Sequence, residues 1–240
     1  MQTLNSPVMR TIDVARHAGY SVQQVRNLER DGVLPPATRT AAGYRVYGEV
    51  HLHSALAYRA LAAGTGPVEA KRILRAAHEC PPSELFALLD AAHARLDRER
   101  TQLKHAKEAV EAISIEPVDD VRPSDSMSVS ELATALGVRP STLRHWDAEG
   151  LVVPDRASTR GTRRYSPAQV RDARVVHQLR SAGYRIGPLR ALISHLPRGH
   201  RSKAIGAALA ARDASITARS QALLDAAAEL SAVISPEIHR

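Results

Sequence analysis

Apolar residues recur along the chain at two helical spacings, one short and one of seven residues, and each spacing occurs twice. Near the start, Asp13 to Ala18 reads as a helix ending at Gly19, and Ser21 can cap a second helix whose Val22, Val25 and Leu28 form one stripe. Further on, Leu132 to Leu136 ends at Gly137, Pro140 sits in the first turn of the next helix, and Leu143 with Trp146 supplies the stripe. A glycine-bearing loop and two more helices follow each pair, and Ser166, Pro167 and Gln169 read as a capping box that opens one of them. Beyond the stop Pro81-Pro82, Ser83 can cap a long helix with Leu89, Leu96, Leu103 and Val110 seven apart. Leu85, Ala92, Glu99, Ala106 and Ile113 hold its other seam position. After Pro197 and Gly199 the pattern returns as Leu209, Ile216, Leu223 and Leu230, with Ile205, Arg212, Arg219, Ala226 and Val233 beside them.

The recurrence is a duplication. At an offset of 118, Thr11 to Tyr47 runs without a gap against Val129 to Tyr165. Ala15, Gly19, Arg26, Gly32, Pro36, Gly43, Arg45 and Tyr47 meet identical residues, and Val14/Leu132, Val25/Leu143, Glu29/Asp147 and Val33/Leu151 are conservative pairs. After one inserted residue the copies realign at Gly64/Gly183. Glycine fixes turns and arginine has no packing reason to recur, so a shared backbone and a shared polar surface are implied. The fold class expected is mainly α: two winged helix-turn-helix domains (9–80 and 127–197), each followed by a coiled-coil helix (81–113 and 198–235), the two long helices pairing antiparallel. Residues 114–126, SIEPVDDVRPSDS, carry two prolines and four acidic residues and read as a linker, with short tails at 1–8 and 236–240.

Charge turns this architecture toward a partner. The 240 residues hold 33 Lys plus Arg against 25 Asp plus Glu, a formal +8, so a polyanion is expected and nucleic acid leads. A helix-turn-helix puts its second helix in the DNA major groove, with apolar residues inside and hydrogen-bonding groups outside. The outer face of the first copy offers Gln23, Gln24, Arg26 and Asn27, and that of the second offers Ser141, Thr142, Arg144 and His145. Gln and Asn can bond adenine edges, and Arg can bond guanine or phosphate. A solvated helix face would explain one such helix; it does not explain why the arginine recurs. The loops that follow read as wings, with Arg39, Tyr44, Arg45 and Tyr47 in one copy and Arg156, Arg160, Arg163, Arg164 and Tyr165 in the other, placed to hold phosphates.

Several classes fall away. Aromatics are only 3%, too few for base-stacking platforms or a large aromatic pocket. The single cysteine, Cys80, excludes an internal disulfide and leaves only a half-filled metal site with His78, so no metal and no cofactor are expected. No Ser/His/Asp grouping, phosphate-cradling loop or carboxylate pair points to an enzyme. No apolar run approaches the roughly 18 residues that span a bilayer, and MQTLNSPVMR carries no signal pattern, so no membrane partner and a cytoplasmic, nucleoid-associated location are expected.

VRNLERDGVLPP with RTAAGYRVY, and TLRHWDAEGLVVP with RGTRRY, resemble the MerR (mercury-resistance regulator) family of bacterial transcription regulators, twice over nearly the whole chain. The resemblance implies that Arg26, Arg144 and the wing Arg and Tyr residues contact double-stranded promoter DNA. It also implies that the protein distorts a promoter to realign it for RNA polymerase or to block polymerase. The family's paired tyrosines are Asn27-Leu28 and His145-Trp146 here, and the counterpart of Tyr44 is Thr162, departures that bear on base preference. Family members usually carry one winged domain, one coiled-coil helix and an effector part, and pair as antiparallel homodimers. Here a second module stands in place of the effector part, so a single-chain pseudo-dimer is expected, with a homodimer as the other arrangement. The 13-residue linker can span roughly 43 Å, the length of a helix of about 29 residues. Glu99 on one seam against Arg212 and Arg219 on the other favours pairing unlike helices. A small-molecule-binding or architectural DNA-binding protein without sequence-specific promoter control is the alternative, and any effector is unidentified by sequence.

Overall fold

The structure, a computed structural model, describes residues 8–79, 83–115, 125–157, 162–193 and 198–234. Cys80, the Pro81-Pro82 stop, the interior of the linker, Pro197 and most of the two tails lie outside them. The first copy comprises α1 (Thr11–Ala18), α2 (Val22–Arg30), β1 (Thr38–Arg39), β2 (Arg45–Val46), α3 (Glu49–Thr65) and α4 (Pro67–Ala77), followed by the long α5 (Ser83–Ile115). The second repeats the order as β3 (Met127–Ser128), α6 (Val129–Leu136), α7 (Pro140–Ala148), β4 (Asp155–Ala157), β5 (Thr162–Tyr165), α8 (Pro167–Ser181) and α9 (Ile186–Ile193), followed by α10 (Arg198–Ile234). The fold is mainly helical, as expected. The long helices differ slightly from their expected limits: α5 runs on to Ile115 and takes in Ser83 as its first residue, and α10 takes in Gly199.

Local chemistry sets the turns. Gly19 and Gly137 take φ values of 70° and 65°, the left-handed conformation that closes α1 and α6 and turns the chain into the next helix. Ser21 opens α2 through a reciprocal pair of bonds: its Oγ accepts from Gln24 N at 3.1 Å, and Gln24 Oε1 accepts from Ser21 N at 2.8 Å. At Ser166 one half of the expected box is present, the Ser166 amide donating to Gln169 Oε1 at 2.9 Å.

Two features go beyond the sequence reading. Met127 pairs with Tyr165 ahead of α6, and Met9 bridges Tyr47 ahead of α1, so a short strand lies beside each wing at the same offset of 118. One or two residues of strand are too short to show alternation, although the Met9/Met127 identity extends the duplication to this point. The inserted residue also sits later than expected. Ala55 and Leu61 of α3 are buried, and so are Ala173 and Leu179 of α8, which keeps the offset at 118 and sets Gly64 opposite Ala182. The insertion therefore falls in the turn before α9.

The chain divides into two compact units, Met1–Asp97 with Ser215–Arg240, and Arg98–Ala214. Each unit holds one winged domain and half of both long helices, so α5 and α10 run antiparallel. In the first unit the winged domain meets its own long helix through Arg95 and Glu69, 2.6 Å apart, and meets α10 through His53 and Glu229, 2.7 Å apart. Leu223 of α10 closes against Gly64, where an added Cβ would lie 3.1 Å from its side chain. In the second unit Tyr184 donates to Ala208 O of its own long helix at 2.7 Å, and Arg171 donates to Ser114 O at the end of α5.

Seam residues Leu96, Leu103, Val110, Leu209, Ile216, Leu223 and Leu230 are buried. Leu89 is only half-buried, and Leu88 is covered in its place beside the expected seam residues Leu85 and Ala92. An α-helix drifts about 20° per heptad against a strict seven-residue repeat, which carries the stripe off Leu89 two heptads from Leu103. Within the second unit Glu99 meets Arg212 at 3.0 Å and Lys107 meets Asp213 at 2.7 Å. Arg219, by contrast, donates to Gly64 O at 3.1 Å, holding α10 to the first winged domain.

Two outcomes follow. Glu99→Arg sets like charges side by side on a half-buried seam and lowers stability by on the order of 1–3 kcal/mol, and Glu99→Arg with Arg212→Glu recovers most of it in urea unfolding. His51 Nδ1 accepts from Gly48 N at 3.0 Å at the start of α3, and burial holds the imidazole below its ordinary value of 6.5. The folded state therefore favours neutral His51, and its contribution, full above pH 6.5, is lost as pH falls below that value. The other copy has Gln169 at this place, so His51→Gln keeps the cap and flattens the decline in melting temperature between pH 7 and pH 5.

Candidate nucleic-acid interface

Helices α2 and α7 each bury one face and present the other. Val25, Leu28, Leu143 and Trp146 point into the winged domains. Gln23, Gln24, Arg26, Ser141, Arg144 and His145 are exposed, and Asn27 and Thr142 are half-buried at the edges of the same faces. Gln23 Nε2 donates to Asn27 Oδ1 at 3.1 Å, pre-aligning two amides along one edge of α2. Gln24 was expected to face a base, but its carbonyl oxygen caps α2, which leaves its NH2 group as the part directed outward.

The wings are held from beneath by an acidic residue on each reading helix. Glu29 Oε2 accepts from Arg45 Nε at 2.9 Å and from the Tyr47 hydroxyl at 3.0 Å, and Glu29 Oε1 accepts from Ala37 N at 3.3 Å. One carboxylate thus ties α2 to both ends of the first wing. In the second copy Asp147 accepts from Arg163 Nε at 2.7 Å. Asp147 is one methylene shorter than Glu29, and the Tyr165 hydroxyl is buried with no hydrogen-bond partner among the described residues.

These contacts correct several expectations. Tyr47 and Tyr165 are each 0% exposed, so they are core residues under the wings and do not reach a phosphate. Burial raises the pKa of both phenols. Arg45 and Arg163 are tied to Glu29 and Asp147, and Arg164 Nη2 donates to Ser126 O at 2.8 Å, so all three brace the wings. Arg39 is exposed and donates to Gly43 O across the wing turn at 3.1 Å, and Tyr44 stands out at 73% exposure. Arg156 lies on β4, with its side chain outside the described part of the structure, and Arg160 lies outside the described residues altogether.

Brought together on each outward surface are therefore Gln23, Arg26, Asn27, Arg39 and Tyr44 in one copy, and Ser141, Thr142, Arg144 and His145 in the other. The residues that sequence reasoning missed are Glu29 and Asp147 as wing anchors. A signal existed: a carboxylate recurring on a helix read as facing phosphate needs an internal cation to offset it.

With this geometry in place, the two winged helix-turn-helix regions can be set beside known families. Residues 127–196 match the family model described as MerR HTH family regulatory protein, and residues 10–47 match the one described as MerR family regulatory protein. No curated protein and no solved structure matches the chain. Both winged regions thus carry MerR-type regulatory sequence. No helix among the described residues is long and apolar enough to cross a membrane.

The unequal anchors give opposite responses to one change. Tyr47→Phe removes a made bond and costs about 1 kcal/mol, whereas Tyr165→Phe removes an unpaired buried hydroxyl and is neutral or stabilising. Asp147→Glu, which supplies the missing methylene, raises stability by about 1 kcal/mol, and thermal unfolding of the three variants measures all three effects.

Proposed function

We propose that this chain is a sequence-specific, double-stranded DNA-binding transcriptional regulator that acts as a single-chain pseudo-dimer at the nucleoid. The observation that carries the reading is the make-up of the two units: each contains one winged domain and half of each long helix, so one chain supplies what two copies of a single-module regulator would contribute. Two reading helices with exposed Arg26 and Arg144 supply the recognition surface, and the net charge of +8 supplies the attraction to phosphate.

The two surfaces are chemically different. Gln23 and Asn27 offer amides suited to adenine edges, and Ser141, Thr142 and His145 offer smaller or switchable donors at the matching places. The operator therefore has two unlike half-sites. The first wing, braced by Glu29, holds Arg39 and Tyr44 against the backbone, where they set register without reading sequence. Gripping two half-sites with one chain bends or untwists the intervening promoter, which changes how RNA polymerase engages it.

Selection of bound duplexes from a random library at moderate salt tests this. Enrichment of one asymmetric two-part site is the expected result. A palindromic optimum indicates a homodimer using one repeat of each chain, and retention without any enrichment indicates an architectural protein. On the selected site, Arg26→Ala and Arg144→Ala each cost about 1–3 kcal/mol of affinity and each relax specificity in a different half, measured by quantitative footprinting.

A further inference from the structure

Helix α2 carries three amide side chains, Gln23, Gln24 and Asn27, and the hydrogen bonds of the free protein already sort them by role. Gln24 Oε1 accepts from Ser21 N at 2.8 Å, so its carbonyl is committed to the start of the helix. Asn27 Oδ1 accepts from Gln23 Nε2 at 3.1 Å, so its carbonyl is committed to the side chain one turn before it. Gln23 gives up a single N–H in that bond. It is exposed, and its Oε1 bonds to nothing among the described residues, which leaves it a carbonyl and a second N–H to offer.

An acceptor beside a donor on one planar group matches one base edge. In the major groove adenine presents its N6 donor next to its N7 acceptor, whereas guanine presents two acceptors, cytosine one donor, and thymine one acceptor beside a methyl group. Gln24 has only its NH2 group directed outward, and Asn27 is half-buried with its oxygen already engaged, so neither can make the paired contact. The bond to Asn27 also holds Gln23, a side chain with many rotamers when free, so less entropy is lost when it meets a base. At the constant offset of 118, Ser141 stands for Gln23 and His145 for Asn27, and α7 carries no amide side chain. A serine hydroxyl donates or accepts with equal ease and so discriminates less among base edges.

We propose that Gln23 reads a single adenine in the half-site of the first unit, that Asn27 is its positioning residue, and that the half-site of the second unit lacks this contact. Gln23 Oε1 accepts from adenine N6 and Gln23 Nε2 donates to adenine N7. Asn27 contributes by fixing the Gln23 amide in advance. The inference rests on the DNA-binding reading above and adds to it which residue selects which base.

The test measures dissociation constants of the full-length protein on the selected operator by fluorescence anisotropy, with every single base-pair substitution and with 7-deazaadenine, which lacks N7, at each adenine. One A·T pair is expected at which any substitution, or 7-deazaadenine, weakens binding about tenfold or more. Gln23→Ala abolishes discrimination at that pair and leaves the other half-site's profile unchanged. Asn27→Ala reduces the discrimination ratio at the same pair, and Asn27→Asp, which keeps the accepting oxygen, restores it even if its charge weakens binding uniformly. In the free protein, Asn27→Ala shifts the Gln23 side-chain NH2 resonances, and unchanged thermal melts show that the variants are folded. Selective binding with no adenine position sensitive to Gln23→Ala, or a discrimination ratio unchanged in Asn27→Ala, overturns the proposal and leaves the regulator reading standing. Absence of any selective binding overturns both.

Discussion

Long amphipathic helices cannot bury a seven-residue stripe by themselves, and the rest of this molecule is arranged around that constraint. Leu96, Leu103 and Val110 on α5, and Leu209, Ile216, Leu223 and Leu230 on α10, would leave a continuous apolar strip in water if either helix stood alone. Antiparallel pairing within one chain covers both. It also places the beginning of one helix with the end of the other in each compact unit, so each winged domain rests against both helices. The contacts are specific: Arg219 and Leu223 meet Gly64 in one unit, and Arg171 meets Ser114 in the other.

Joining the copies covalently frees them to diverge. In an antiparallel pair of identical helices every contact between residues i and j occurs twice, whereas here Glu99 meets Arg212 once, between two helices of different sequence. The same freedom is visible in the wings. Glu29 binds both Arg45 and Tyr47, while the shorter Asp147 binds Arg163 and leaves Tyr165 unpaired among the described residues. One domain is therefore more tightly braced than the other. The reading faces diverge in parallel, from Gln23 and Asn27 to Ser141 and His145.

Periodicity and glycine placement made most of the architecture legible. A left-handed turn at Gly19 and Gly137, the cap at Ser21 and the heptads all follow from short-range rules that leave a direct mark on residue order. The site was legible in part. Arg26 and Arg144 sit on exposed helix faces, as amphipathic spacing requires. Tyr47 and Tyr165 could not be placed by pattern, because an aromatic beside a helix start fits a surface wing and a core equally well. Their burial depends on Met9 and Met127 closing over the wing, a contact between residues 38 apart. Arg45, Arg163 and Arg164 carry an intramolecular bond that residue order does not foretell, because arginine braces a loop or holds a phosphate with the same fork of donors. Leu89 shows the limit of a strict heptad count on a helix that is not fully supercoiled.

Sedimentation analysis of the full chain, from nanomolar to tens of micromolar concentration, tests the intramolecular seam most directly. A helix pair completed within one chain gives a single species of 26.0 kDa that stays constant across the range. A species of twice that mass, dissociating on dilution together with loss of helix in circular dichroism, would show that the seam is formed between chains and would contradict the single-chain pseudo-dimer.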